Sequence, residues 1–246
     1  KNIKSIAKEL NITGPFNTQF LAKDNWIGVI ETNLRASRSV PFVSKVYNDN
    51  FIQNATKAIM NKKYKKYNPN IKINHVGVKC PQFSYHRLLG SDPILDVEMS
   101  STGEVACFGE NFAEAYLKSL KSSNVEIPLP NNNYNICVSL TNETKEKGLD
   151  SIQRLQNLGY NIFSADDNTS EILDKKYISY SFFNAGDLKN KEYQLVLDNT
   201  NNNKNYYGLR RMAIDYNVPL ITNNEQIKKI VECLEENPTI LNKSYC

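Results

Sequence analysis

The sequence predicts an α/β protein built from two dissimilar parts. Residues 16–23 and 26–33 alternate in polarity and flank the tight turn KDNW, which is typical of an antiparallel hairpin. After residue 134, short β-branched runs alternate with amphipathic helical segments, as in a Rossmann-like parallel sheet. The Pro- and Asn-rich stretch SSNVEIPLPNNNYN separates the two patterns. We therefore expect an antiparallel sheet with helices in residues 1–124 and a parallel sheet in residues 125–246.

Each predicted element of the first part has a local signal. A charged amphipathic segment predicts a helix over residues 2–10, and Phe51, Ala55 and Ala58 have the spacing of a second helix over residues 49–62. The apolar run HVGVKCPQF predicts a further strand. The stretch that ends in GEVACFG leads into a helix at residues 111–119.

The second part repeats the unit of strand followed by helix. The predicted strands are NICVSL, YNIFSA, YISYSFF, YQLVLDN and VPLIT. The predicted helices cover residues 145–158, 169–176, 207–216 and 224–235. Gly159 follows the first of these helices, in the position where glycine commonly ends a helix.

Composition excludes several classes of protein. The 246 residues carry a net charge of +4 from 30 basic and 26 acidic side chains, which is too balanced to indicate a nucleic-acid partner. No apolar run reaches the roughly 18 residues of a membrane span. The five cysteines form no CxxC pair and there are only two histidines, so we expect reduced thiols and no zinc site. A cytoplasmic location, or alternatively a mitochondrial one, fits this composition.

Without an initiator methionine, the chain is expected to be a piece of a longer one.

The segment VIETNLRASRS carries the clearest chemistry of the first part. Glu31 and Asn33 project from one face of their strand, and hairpin pairing can bring Gln19 beside them. A carboxylate with two amide oxygens is a hard-oxygen set that suits Mg²⁺, and Arg35 and Arg38 can hold phosphate oxygens. The pattern therefore indicates a metal–nucleotide site, with exposed polar residues on a solvated sheet face as the alternative.

A longer stretch strengthens the metal–nucleotide interpretation. The run NITGPFNTQFLAKDNWIGVIETNLRASRSVPFVSK and the later run DPILDVEMSSTGEVACFGENFAEAYLKSL resemble the end of the second ATP-grasp unit of the carbamoyl phosphate synthetase large chain, in its eukaryotic rather than its bacterial form. The resemblance implies that Gln19, Glu31 and Asn33 bind the Mg²⁺ (or Mn²⁺) of Mg–ATP, with Arg35 and Arg38 at the phosphate end.

The same resemblance implies an activity for a parent protein. Such an enzyme makes carbamoyl phosphate from bicarbonate, glutamine or ammonia, and two ATP, and it works with a glutaminase domain or subunit. Residues 1–124 would be the C-terminal portion of the carbamate-phosphorylating unit. We expect the piece by itself to be inactive.

The second part resembles the methylglyoxal-synthase-like regulatory domain of that family, most clearly in LGYNIFSADDNTSEIL and LRRMAIDYNVPLITN. The resemblance implies an anionic effector, a uridine nucleotide or N-acetylglutamate. The residues implied to bind it are Lys145, Thr169, Ser170, Asn199 and Thr200, with Asp198 beside the last two. Asp166 and Asp167 depart from the family pattern and would repel a phosphate.

Two other functions stay open, namely another ATP-grasp ligase such as a biotin-dependent carboxylase, and a free-standing, non-enzymatic effector-binding module.

Several single residues also have two interpretations. We expect His86 to be a surface residue rather than a base, and Glu98 and Glu104 to stabilise the fold rather than handle substrate. Arg210 and Arg211 are expected either to be solvated or to pack against a neighbouring domain.

Overall fold

The structure is a computed structural model that describes residues 2–66, 71–95, 101–130 and 134–236. It divides into two compact units, one that runs to Asn74 and one that begins at His75. No helix in these ranges is both long and apolar enough to cross a membrane.

The first unit is a hairpin with three helices. Its elements are α1 (Asn2–Glu9), β1 (Asn17–Lys23), β2 (Trp26–Asn33), α2 (Ser39–Val46) and α3 (Phe51–Ile59). The two strands pair antiparallel through the turn at Asp24, whose φ of 52° is the left-handed conformation that Asp tolerates. Up to Asn74, none of the described residues is fully buried, and Trp26 and Ile30 are 59% and 63% exposed.

Helix α2 was not predicted from the sequence. Its segment SVPFVSKV contains β-branched valines and Pro41, which argue against a helix. Pro41 lies in the first turn, where the missing N–H has no helical partner to lose. Helix α3 is shorter than expected at both ends. Asn50 caps its start by accepting a hydrogen bond from the Gln53 amide at 2.9 Å, and Asn61, just past its end, has the left-handed φ of 52°.

The second unit begins with an antiparallel pair. Strands β3 (Val76–Gln82) and β4 (Gly103–Gly109) pair, and α4 (Phe112–Ser122) packs on both. These elements belong to the same compact unit as the parallel sheet that follows. The domain boundary after residue 124 stays a prediction about the parent protein.

The parallel sheet contains five strands in the order β7-β6-β5-β8-β9. The strands are β5 (Asn135–Leu140), β6 (Asn161–Ser164), β7 (Ser181–Phe182), β8 (Leu195–Asn199) and β9 (Leu220–Ile221). The helices are α5 (Lys145–Asn157), α6 (Asp167–Asp174), α7 (Ala185–Lys189), α8 (Tyr207–Asp215) and α9 (Asn224–Glu235). The α/β class and the parallel sheet expected from the sequence are thus confirmed.

The core lies on both faces of this sheet because alternate residues of each strand point to opposite sides. Ile136 and Val138 of β5 pack in a cluster with α4, α5, α6 and α9. Cys137, between them in the sequence, packs on the opposite face with Leu188 of α7 and Leu209 of α8. A central β-strand covered on both faces explains the continuous apolar run NICVSL.

Several elements of the second unit differ from expectation, and helix α7 was not predicted at all. The predicted strand YISYSFF is reduced to Ser181–Phe182, and Tyr177 adopts a φ of 56°, which no strand permits. Helix α6 begins at Asp167, two residues before the predicted start, because the Asp166 side chain caps it.

Candidate functional site

The hairpin brings together the three predicted metal ligands. Gln19 of β1 is the register partner of Glu31 on β2, and the register shifts just after Gln19. The Asn33 amide nitrogen donates a hydrogen bond of 2.9 Å to Glu31 Oε1. Gln19 and Glu31 are exposed and Asn33 is half-buried, so all three side chains are accessible to a ligand.

The donor set fits Mg²⁺ but does not complete its coordination. Among the described residues there is no cluster of three or more His, Cys, Asp or Glu that could hold a metal. Glu31 supplies a single carboxylate, and the Asn33 amide has to rotate to present its oxygen. Mg²⁺ is commonly held by one or two carboxylates together with water and substrate phosphates. This arrangement therefore suits a metal that arrives with a nucleotide.

The two predicted phosphate-binding arginines follow the hairpin. Arg35 and Arg38 lie between β2 and α2, and both are exposed. Within the described residues, Arg35 makes a single long hydrogen bond, of 3.4 Å to the carbonyl of Ala36, and Arg38 occupies the N-cap position of α2. Exposed guanidinium groups with such weak internal bonding are free to turn toward phosphate oxygens.

A cavity of about 700 Å³ opens at the carboxyl edge of the parallel sheet. Its walls come from the segments that follow β5, β6 and β8, from α8 and from Phe183. The lining residues are Thr141, Asn142, Glu143, Ala165, Asp166, Asn168, Phe183, Asn203, Asn205, Tyr206, Leu209 and Met212. Ligands of open α/β sheets bind at this edge, where the strand order reverses.

The charged side chains of this lining are both acidic, Glu143 and Asp166. Asp166 Oδ1 accepts the Thr169 amide at 2.7 Å, so the N-terminus of α6 is already capped by a carboxylate. Burial, and after it a hydrogen bond to Asp166, raises the pKa of Tyr206 to about 12, which keeps its hydroxyl neutral. An anion at this helix terminus would meet the Asp166 charge rather than free N–H groups.

The five predicted effector residues lie beside the cavity rather than in its lining. Lys145 is half-buried and its ammonium donates to Asn142 Oδ1 at 3.4 Å, which places it near the rim. Thr169 and Ser170 are buried, and their hydroxyls bond within the fold, Thr169 with the Leu140 amide and Ser170 with Ser164. Asp198 is also buried.

Asn199 and Thr200 differ from the other buried residues of this group. Within the described part of the chain, Asn199 Nδ2 and Thr200 Oγ1 are buried without a hydrogen-bond partner. The Asn199 backbone carbonyl accepts a bond from the Thr144 hydroxyl. Since an orphaned buried polar group is costly, these two atoms mark a place where a ligand or water adds stabilisation.

The remaining candidates have structural surroundings. His86 is exposed in a short 3-10 helix, and Glu104 forms an ion pair with Lys79 at 3.0 Å across the β3–β4 pair. Glu98 lies outside the described residues. Arg210 and Arg211 are buried in α8, so the interpretation as solvated charges is wrong. Arg211 pairs with Asp215 in the same helix, but Arg210 pairs with Asp92, which is distant in sequence. No local sequence pattern could indicate that second pair.

Comparison with known proteins identifies relatives along almost the whole chain. The chain is 42% identical over 96% of its length to the multifunctional protein URA2 of Saccharomyces cerevisiae, and it covers 12% of that protein. It is 38% identical over 94% of its length to the multifunctional protein CAD of Squalus acanthias, again covering 12%. It is 36% identical over 98% of its length to the mitochondrial carbamoyl-phosphate synthase (ammonia) of Homo sapiens, covering 17%.

The chain is therefore similar to a segment of these proteins and spans less than a fifth of their length. No family model matches it.

Proposed function

We propose that the chain is part of a carbamoyl-phosphate synthase. Residues 1–124 would form the C-terminal portion of the carbamate-phosphorylating ATP-grasp unit, and residues 125–246 the methylglyoxal-synthase-like regulatory domain. The observation that carries the proposal is the 36% identity to a carbamoyl-phosphate synthase over 98% of the chain. The pairing of Gln19 with Glu31 supports it, because it gives that segment the donors for Mg–ATP.

The hairpin would act in phosphoryl transfer to carbamate. A carbamate oxygen attacks the γ-phosphorus of ATP, the bond to the bridging oxygen of ADP breaks, and carbamoyl phosphate forms. When bound, Mg²⁺ neutralises charge on the phosphate oxygens. Glu31, with the side-chain oxygens of Gln19 and Asn33, would hold that ion in place. Arg35 and Arg38 would orient the phosphates by bidentate hydrogen bonds.

The surface of the first unit supports its being one piece of a larger domain. A two-stranded hairpin is marginally stable by itself in water. Here Ile27, Val29 and Leu34 are 55%, 53% and 64% exposed, although each is a large apolar side chain. Additional chain covering this surface would remove apolar area from water at about 25 cal/mol per Å². We accordingly expect the hairpin to be active only within a longer protein.

The cavity of the second unit would hold a regulatory ligand. A uridine nucleotide is the first expectation from the family resemblance, and N-acetylglutamate the second. Lys145 at the rim offers a positive charge, while Asp166 and Glu143 oppose phosphate binding. We therefore expect weak affinity for a triphosphate.

A second candidate function is an effector-binding module without catalysis. It is favoured by the burial pattern. The fully buried residues of the described chain all lie in the second unit, which is the unit that contains the cavity. As part of a synthase, the chain is expected to have a glutaminase domain or subunit and the remainder of the synthetase as partners, and a cytoplasmic location.

The experiment that tests the proposal uses the full-length protein. It is supplied with bicarbonate, ATP, Mg²⁺ and either glutamine or ammonia, and carbamoyl phosphate is measured. Synthesis that requires both Mg²⁺ and a nitrogen donor is the expected result. Binding of UTP or N-acetylglutamate without any carbamoyl phosphate would instead establish the effector-binding module.

A further inference from the structure

Arg210 is a buried cation with partners from two distant parts of the second unit. Its side chain is 0% exposed. Nη1 donates to Asp198 Oδ2 at 2.7 Å, while Nε and Nη2 donate to the two oxygens of Asp92 at 2.7 and 2.6 Å. The contact with Asp92 is thus a bidentate pair, the geometry that fixes a guanidinium plane most firmly.

On one side, Arg210 is joined to the carboxyl edge of the parallel sheet. Asp198 lies in β8 next to Asn199, and its other oxygen accepts the Ser139 hydroxyl of β5 at 2.8 Å. Arg210 Nη1 also donates to the backbone carbonyl of Asn203 at 3.0 Å. Asn203 lines the cavity, so this guanidinium helps to fix the cavity wall.

On the other side, α8 holds the segment Tyr85–Asp92, which we call the β3–β4 connection. Arg211 Nη1 donates to the carbonyls of Tyr85, Leu88 and Ser91, each at 3.2 Å. The Tyr207 hydroxyl donates to the Gly90 carbonyl at 3.0 Å. The connection follows β3, in the part of the chain proposed to belong to the ATP-grasp unit.

Within the described part of the chain, the hydrogen bonds of Arg210 reach both sides, whereas those of Arg211 reach one. Arg211 contacts the connection and Asp215, and its hydrogen bonds do not extend to Asn203 or Asp198. A buried guanidinium that loses one carboxylate keeps its charge and must seek other acceptors. A shift of the Asp92 carboxylate therefore alters the bond to Asn203, and a shift of the cavity wall alters the pair with Asp92.

We propose that Arg210 is a positioning residue that couples the cavity wall at Asn203 to the β3–β4 connection. A ligand in the cavity and a change in the ATP-grasp part would then bias each other through this guanidinium, with equal coupling in both directions. The roles given to the cavity and to the β3–β4 connection, as effector site and as part of the ATP-grasp unit, rest on the proposed function. The physical link is the hydrogen-bond chain itself.

The first test measures amide hydrogen exchange in the full-length protein without any ligand. Asp92→Asn removes one charge and one acceptor from Arg210. Asp215→Asn is the matched control, since it makes the same change beside Arg211. The reporter amides are Asn203 and Tyr206 at the cavity wall, and Leu88 and Ser91 in the connection.

Asp92→Asn should speed exchange at Asn203 and Tyr206 by about fivefold or more, because the Arg210–Asn203 bond loosens. Asp215→Asn should speed exchange only in the connection. Equal exchange of the cavity-wall amides in all three proteins would overturn the proposal. So would an equal increase in both variants, because it would show general loosening of α8.

The second test compares carbamoyl phosphate synthesis with and without UTP, and separately with N-acetylglutamate. One of these ligands is expected to change the KM for ATP of the wild-type protein. Asp92→Asn should make that change smaller by about threefold or more, while the kcat measured without ligand stays nearly unaltered. An unreduced change would contradict coupling through Arg210. If neither ligand affects the wild type, the regulatory part of the proposed function fails, and the exchange experiment still decides the role of Arg210.

Discussion

Gln19 and Glu31 face each other across the β1–β2 hairpin, and their neighbours Thr18 and Thr32 form the next register pair with hydroxyls 3.2 Å apart. Because successive strand residues point to opposite faces, the two pairs lie on opposite faces of the hairpin. The metal-binding chemistry proposed for Gln19 and Glu31 is thus confined to one face, and the threonine pair provides an internal control.

Replacing Gln19 should weaken the metal site without unfolding the hairpin. We expect Gln19→Ala in the full-length protein to raise the Mg²⁺ concentration needed for half-maximal carbamoyl phosphate synthesis by about tenfold, since one oxygen donor is lost. Thr18→Val replaces a hydroxyl on the other face by a methyl group, so the side chain keeps its size. It should leave the Mg²⁺ dependence unchanged. A Mg²⁺ titration of the two variants gives the answer, and equal shifts in both would argue against a metal site on the Gln19 face.

Gly148 in α5 should tolerate no side chain. A Cβ there would lie 2.1 Å from Asn199 Nδ2 and 2.8 Å from Leu140 Cδ2, and both neighbours are buried. Gly148→Ala is therefore expected to lower the free energy of unfolding by about 1–3 kcal/mol through overpacking. The measurement is the midpoint of urea unfolding of the 246-residue chain.

Gly208 in α8 is the matched control for that substitution. A Cβ at Gly208 meets no atom within 4 Å, so Gly208→Ala should be neutral or should stabilise the helix by about 0.5–1 kcal/mol. Similar destabilisation by both changes would mean that α5 does not approach β8 at Asn199 as described.

The cysteines should differ sharply in reactivity. Cys137 is fully buried, and desolvation raises the pKa of its thiol; burial likewise raises the pKa of Cys233 to about 11. Both thiols should resist alkylation at pH 8, because the thiolate is the reactive form. Cys107 is half-buried and should be alkylated faster than these two thiols.

Peptide-resolved mass spectrometry after a pulse of iodoacetamide measures these rates. In denaturant the three cysteines should react alike, which controls for differences between peptides. Alkylation of native Cys137 at the rate of Cys107 would contradict the packing of β5 between two helical layers.

Much of the fold follows from local signals. Helix α9 has the predicted bounds, since Asn223 caps it at one end and its apolar residues keep helical spacing to the other. The KDNW turn fixes the hairpin register only as far as the pair of Phe20 and Val29, and continuing that register would place Gln19 opposite Ile30. Gln19 pairs with Glu31 because the register shifts between Gln19 and Phe20, which the turn does not predict. Asp166 could have been recognised as a helix cap from its position three residues before Thr169.

Other features depend on contacts between residues distant in sequence. The burial of Arg210 requires Asp92, which lies 118 residues earlier, and no pattern in the segment LRRMAID indicates it. The cavity lining could not be predicted either, because Asn203 and Asn205 belong to an Asn-rich loop whose course depends on tertiary packing. The residues implied by family resemblance lie next to this cavity, and their role there stays a prediction.

The most direct test of the central proposal is the effect of Glu31→Ala on two partial reactions of the full-length protein. One is formation of ATP from ADP and carbamoyl phosphate, which would report the proposed carbamate-phosphorylating site. The other is bicarbonate-dependent ATP hydrolysis, which would report the first ATP-grasp unit of the proposed synthase. Loss of the Glu31 carboxylate should abolish the first reaction and leave the second largely intact. A fall of less than about tenfold in the first reaction, roughly 1.4 kcal/mol of barrier, would contradict a metal-binding role for Glu31.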